Sequence, residues 1–91
     1  MSAENIEDAV RAAIEFFQHL YRDAELHGVL LEEVRERDDQ TWEVTIGYDR
    51  VVNDTPPMTV IARETKYERV YKAIAVDKPS GTAQSMVMRT V

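Results

Sequence analysis

The sequence predicts an α+β domain. One N-terminal helix packs on a curled antiparallel sheet of three to four strands, a two-layer sandwich formed by residues 1–91 as a single domain. Three observations lead there. Apolar residues recur at spacings of three and four between about residues 3 and 27. Residues Thr41–Tyr48 alternate apolar and polar. Tyr67–Val91 reads as two apolar runs joined by a tight turn.

The helix comes first. Ile6, Val10, Ala13, Phe17, Leu20 and Ala24 form its stripe, flanked by Ala9, Ile14 and Tyr21, with Phe16 beside it. Ser2 or Asn5 can cap its start, and Glu4, Glu7 and Asp8 sit near the positive end of the helix dipole. Gly28 suits the left-handed position after a helix end, and His27 the negative end of the dipole. Glu15, Gln18, Arg22 and Glu25 make the exposed face.

Val29–Arg37 and Thr41–Tyr48 read as a strand pair around Asp38-Asp39-Gln40. A three-residue loop sets Glu36 opposite Trp42, Val34 opposite Val44 and Leu30 opposite Tyr48, which places apolar on apolar. Trp42, Val44, Ile46 and Tyr48 then share the buried face. Glu32 and Glu36 fall on that face near its rim, which marks the first strand as an edge, where charge opposes aggregation. Asn53–Pro57 is expected to be a loop, because two prolines exclude a central strand; Met58–Ala62 could add a short strand or simply extend the next hairpin, with Arg63–Lys66 as its turn.

In the last hairpin, Pro79 presets φ for a turn and Gly81 supplies the left-handed residue of a three-residue loop with a bulge. The expected pairs are Lys78/Thr82, Val76/Gln84, Ile74/Met86, Lys72/Met88 and Val70/Thr90. Val70, Ile74, Val76, Met86 and Met88 face the core, with the helix stripe as their partner. Tyr71, Ala73, Ala75, Ala83, Ser85, Val87 and Arg89 form the other face. Asp77 is expected to brace the turn by hydrogen bonding.

Composition bounds the function. The net charge of −6 and pI near 4.8 argue against nucleic acid and anionic membranes as partners, and would suit a basic one. There are no cysteines, so neither disulfide nor thiol chemistry is expected. No apolar run approaches the roughly 20 residues of a membrane span. The N-terminus is acidic and amphipathic, unlike a signal peptide, so the expected location is cytoplasmic.

The element order resembles a half-cystatin or PepSY-like module. LLEEVRERDDQTWEVTIGY and VYKAIAVDKPSGTAQSMVMR are similar to segments of small bacterial proteins of that shape. The shared features are an aromatic opening the second strand, here Trp42, and a Val-Asp-x-x-(Ser/Thr)-Gly turn, here Val76–Gly81. These are turn and core motifs and bring no catalytic residues. The resemblance implies a bacterial source. The protease-inhibitory or envelope roles proposed for secreted PepSY proteins are not expected to carry over, because the N-terminus does not read as a leader.

No catalytic, metal or cofactor residues are expected. His19 and His27 are eight apart, whereas metal-binding histidines on a helix sit three or four apart. Glu32, Glu33, Glu36, Asp38 and Asp39 lack the spacing and glycine of a calcium loop. Ser80 and Ser85 have no histidine nearby, and there is no glycine-rich phosphate loop. The expected function is a non-catalytic protein-interaction module, binding a protein partner or itself, as a homodimer for instance, through a strand edge or the face carrying Tyr71, Ala73, Ala75, Val87 and Arg89. The alternative is a small-ligand pocket between helix and sheet, lined by Phe17, Tyr21, Trp42, Tyr48 and Met88. An enzyme is not expected.

Overall fold

The structure is a computed structural model that describes residues 3–24, 26–52 and 66–89. The order is α1 (Ile6–Leu20), β1 (His27–Asp38), β2 (Thr41–Val52), β3 (Lys66–Asp77) and β4 (Ala83–Arg89). The strands form one antiparallel sheet in the order β1-β2-β3-β4, and α1 packs on one face. This is the α+β arrangement the sequence predicts. Expectations for residues 53–65, for a Ser2 cap and for the Val70/Thr90 pair lie outside the described residues; Lys66 opens β3.

Asn5 caps α1, its Oδ1 accepting from the Asp8 amide at 2.9 Å. The helix ends at Leu20, well short of residue 27, with the Tyr21 amide donating to the Phe17 carbonyl at 3.0 Å. Gly28 does have a positive φ of 61°, but it uses it inside β1, where the register shifts between His27 and Leu30. A left-handed glycine serves a helix end or a strand bulge equally, so the residue alone does not choose. His27 opens β1, its ring 5.5 Å from that of Tyr67 and edge-on to it.

Which arc of the helix is buried also differs from expectation. Ala9, Ala13 and Phe17 meet the sheet, while Val10 is half-buried, Leu20 is half exposed and Ala24 lies beyond the helix. Small side chains at two of three contact turns let the helix approach closely. Dispersion then acts across a tight interface with Trp42, Val44, Ile46, Tyr48, Val70, Ile74 and Val76, all in the core. The bulkier Ile6, Val10 and Ile14 are left to one side.

The hairpins follow the expected pairing with local slips. Glu36/Trp42 and Val34/Val44 pair as expected. The turn is two residues, Asp39-Gln40, because an irregularity at Arg37 absorbs the third, and Asp38 Oδ1 accepts from the Gln40 amide at 2.8 Å. A further bulge at Glu32 sets Leu30 opposite Gly47 instead of Tyr48. Glu32 leaves the buried face and turns to Arg69, whereas Glu36, opposite Trp42, keeps its expected place at the rim of that face, beside Lys78. In the last hairpin Ile74/Met86 and Lys72/Met88 pair as expected, but a bulge at Gln84 sets Val76 opposite Ala83 and turns Ala83 toward the core. The expected Lys78/Thr82 pair is replaced by a bond from the Asp77 amide to the Thr82 carbonyl, 2.9 Å. Met86 is half-buried, and Met88 is 61% exposed because the helix does not reach it.

The Asp77 brace is as expected. Its Oδ2 accepts from the Ser80 amide at 3.0 Å and hydroxyl at 2.7 Å, and Gly81 has a φ of 70°. The same turn also fastens the N-terminus. Lys78 donates its amide to Gln40 O and accepts from the Ala3 amide, both at 2.8 Å. Trp42 Nε1 donates to the Ala3 carbonyl at 2.7 Å, and the Lys78 ammonium stands 4.7 Å over the indole.

Candidate interaction surface

The five face residues singled out from the sequence do share one side of the sheet, facing away from α1, but they are not equally available. Ala73 and Ala75 are only 6% and 7% exposed. Charged side chains from the outer strands lie over them. Arg89 reaches from β4 across the small Ala73 to donate to Thr45 Oγ1 on β2 at 2.8 Å and to Glu33 Oε1 on β1 at 3.0 Å. Arg35 Nε donates to Glu43 Oε1 at 2.9 Å. Thr45, the one buried polar side chain among the described residues, is thereby satisfied. Tyr71 is half-buried and Val87 is 58% exposed. The face is therefore largely closed by the chain's own ion pairs, which leave a hollow of about 410 Å³ between Arg35, Arg37 and the alanines.

The more open apolar surface is on the other side. α1 rests chiefly on β2, β3 and β4 and stands off β1. Between α1 and β1 runs a groove of about 460 Å³, lined by Ile14, Phe17 and Tyr21 on one wall and by Leu26 and Val29–Leu31 on the other, with Ile46 at its base. Val29, Leu30 and Leu31 are 46%, 59% and 47% exposed. The groove continues along the flank of α1 as a second hollow carrying Ile6, Val10 and Ile14. Of the residues expected to line a pocket, Phe17 and Tyr21 do so here; Trp42 and Tyr48 are in the core, and Met88 is elsewhere on the surface.

The groove walls are held firmly. Phe17, Tyr21 and Tyr48 form an aromatic cluster with ring centroids 4.8 to 5.7 Å apart. Burial, with a hydrogen bond to Tyr21, pushes the Tyr48 hydroxyl from its ordinary 10.0 up to about 12, against a smaller opposing pull from Arg50. On β1, Arg69 grips the strand at both ends of the exposed run. It donates to the Gly28 carbonyl at 2.7 Å and to Glu32 Oε1 at 2.6 Å, while also meeting Asp49 at 3.3 Å. Gly47 leaves room for this, since a Cβ there would stand 2.8 Å from Glu32 Oε1 and 2.9 Å from the Arg69 guanidinium. Val29–Leu31 is thus an arch pinned from the opposite face.

Sequence reasoning placed Val29–Leu31 on a strand, with Leu30 packed opposite Tyr48, and gave them no binding role. A signal was present: three consecutive large apolar residues cannot all be buried by a strand that alternates faces. No three His, Asp or Glu side chains gather as a metal-holding group among the described residues, and no described helix is long and apolar enough to cross a membrane. Compared with protein-family models, curated proteins and solved structures, the chain matches none.

Proposed function

We propose that this chain is a non-catalytic interaction module that binds a protein segment on the α1–β1 surface. One observation carries the reading. Ile6 and Val29–Leu31 are 46% to 59% exposed and, with the half-buried Val10 and Ile14, border adjoining hollows, while Ala9, Ala13 and Phe17 occupy the contact between helix and sheet. Contiguous apolar surface of this kind, on a framework fixed by core packing and ion pairs, is the mark of a protein contact. The face with Tyr71, Ala73, Ala75, Val87 and Arg89 is the weaker candidate, because its alanines are already covered.

The test is a series of helical peptides that share one leucine stripe and differ in their polar residues, with sedimentation equilibrium of the chain alone. The expected result is that one peptide, or a second copy, perturbs amides of α1 from Val10 to Leu20 and of β1 from Val29 to Leu31. A chain that stays monomeric and shows no such perturbation with any peptide removes the proposal.

A second reading is a small apolar ligand in the same groove, whose 460 Å³ falls within the range of about 300–1,000 Å³ common for ligand sites. A rise in melting temperature with apolar small molecules, and none with peptides, would favour it.

A further inference from the structure

The two edges of the sheet are built differently. β1 carries Glu32, Glu33, Arg35, Glu36, Arg37 and Asp38 and breaks register three times. Charges and bulges of this kind keep a foreign strand from pairing. β4 has no such guard along its regular run. After the bulge at Gln84, Ser85–Arg89 pairs with β3 without a break. The whole strand, AQSMVMR, has no proline and one charge, Arg89. That charge is drawn over the chain's own sheet by Thr45 and Glu33, away from the edge. Among the described residues β4 pairs with β3 alone. A strand left so presents its outer row of backbone donors and acceptors as a template for another strand.

Exposure points to the same edge. Val87 is 58% and Met88 61% exposed. They are neighbours in an extended strand, so they stand on opposite faces of the sheet. A body resting on one face would cover one of them and leave the other bare. A strand laid along the edge flanks both.

The regular run is also self-complementary. Ser85–Arg89 reads Ser-Met-Val-Met-Arg, centred on Val87. A two-fold axis there sets Val87 against Val87 of a second copy on one face, and Met86 against Met88 on the other. Both faces then match apolar to apolar, and Arg89 meets the uncharged Ser85. β4 itself has no acid. The acidic edge, β1, is three strand spacings or about 14 Å from the pairing line, beyond the Debye length of about 8 Å at physiological ionic strength.

We infer that β4 pairs antiparallel with β4 of a second copy about a two-fold axis at Val87, which joins the four strands of each copy into one continuous sheet. Both helices then stand on the same face. Each α1 rests least on its own β4, and Met86 and Met88 of the two copies fill the strip between the helices. This goes beyond the groove reading, because the α1–β1 groove at the far edge stays open.

The test is sedimentation equilibrium of the full chain and of the variants Val87→Lys and Val87→Asp, alone and mixed, with hydrogen exchange of the β4 amides. Val87 is exposed, so both variants are expected to fold, with urea midpoints near that of the parent. The parent is expected to double its mass as concentration rises, while alternate amides of Ser85–Arg89 gain protection. Each variant alone sets like charges directly across the axis and should weaken association at least about fivefold. An equimolar mixture sets lysine against aspartate and should restore it, because residue 87 faces itself. A monomer at every concentration overturns the inference. Protection of β4 that appears only with an added extended peptide gives the edge to another protein and overturns it too. A dimer that neither variant weakens, or that Val10→Ser with Leu30→Asn abolishes instead, removes the β4 site. A dimer lost in both variants and not restored by mixing removes the axis at Val87. Perturbation of groove amides by the helical peptides tests the groove reading separately, so either can fail without the other.

Discussion

The two halves of the sandwich are built from similar residues and end differently. Over β2–β4, the strands present Val44, Ile46, Ile74 and Val76, each essentially fully buried under Ala9, Ala13 and Phe17. Over β1, residues just as apolar stay about half exposed. Hydrophobicity does not separate the halves; coverage does. A helix with a wide apolar arc can bury only the part that faces the sheet. Here the closest approach selects the alanines and leaves the aliphatics at the side. The lesson is that burial is assigned by geometry, and the apolar residues that geometry leaves out are the informative ones.

The comparison can be broken most forcefully in the filled half. Phe17→Ala removes the one bulky helix residue in the core and should cost about 3–5 kcal/mol, read from the midpoint of urea unfolding. A loss below about 1 kcal/mol would mean that the helix does not hold the sheet as described.

The boundary between the halves can be probed through Tyr48. Its folded pKa of about 12 lies above the ordinary 10.0, so the neutral form is favoured in the folded state. The stability this provides is complete below pH 10 and is lost as pH rises toward 12. Urea midpoints should fall across that window, and Tyr48→Phe should flatten the slope there. An unchanged slope would place the Tyr48 hydroxyl in water.

The open half should respond least. Leu30→Asn is expected to change stability by no more than about 0.5 kcal/mol, although it replaces a large apolar residue. A cost above about 2 kcal/mol would show that Leu30 belongs to the core after all.

Much of this was legible in the sequence where the information is local. The Asp77 brace, the left-handed Gly81 and the Asn5 cap each depend on residues within a few positions of one another. The core faces of β2 and β3 followed from alternation. What escaped depended on distant parts of the chain. The rotation of α1 turns on side-chain volumes facing the sheet, which periodicity does not weigh. The bulges at Gly28 and Glu32 depend on Arg69, far away in sequence. The groove escaped for both reasons, since it exists only where a rotated helix meets an irregular strand. The covering of Ala73 and Ala75 escaped because Arg89 must cross two strands to reach Glu33.

The fastening of Ala3 has a kinetic consequence. Each strand pairs with its neighbour in sequence, so the sheet can assemble by closing short segments one after another. The bond from Ala3 to Lys78 instead closes most of the chain, and that from Trp42 to Ala3 spans a sequence separation of 39. Such closure carries a larger entropic cost and is rewarded only once both turns it grips are in place. Loop-closure cost alone thus predicts that the N-terminal segment docks late, as a latch on a sheet already assembled.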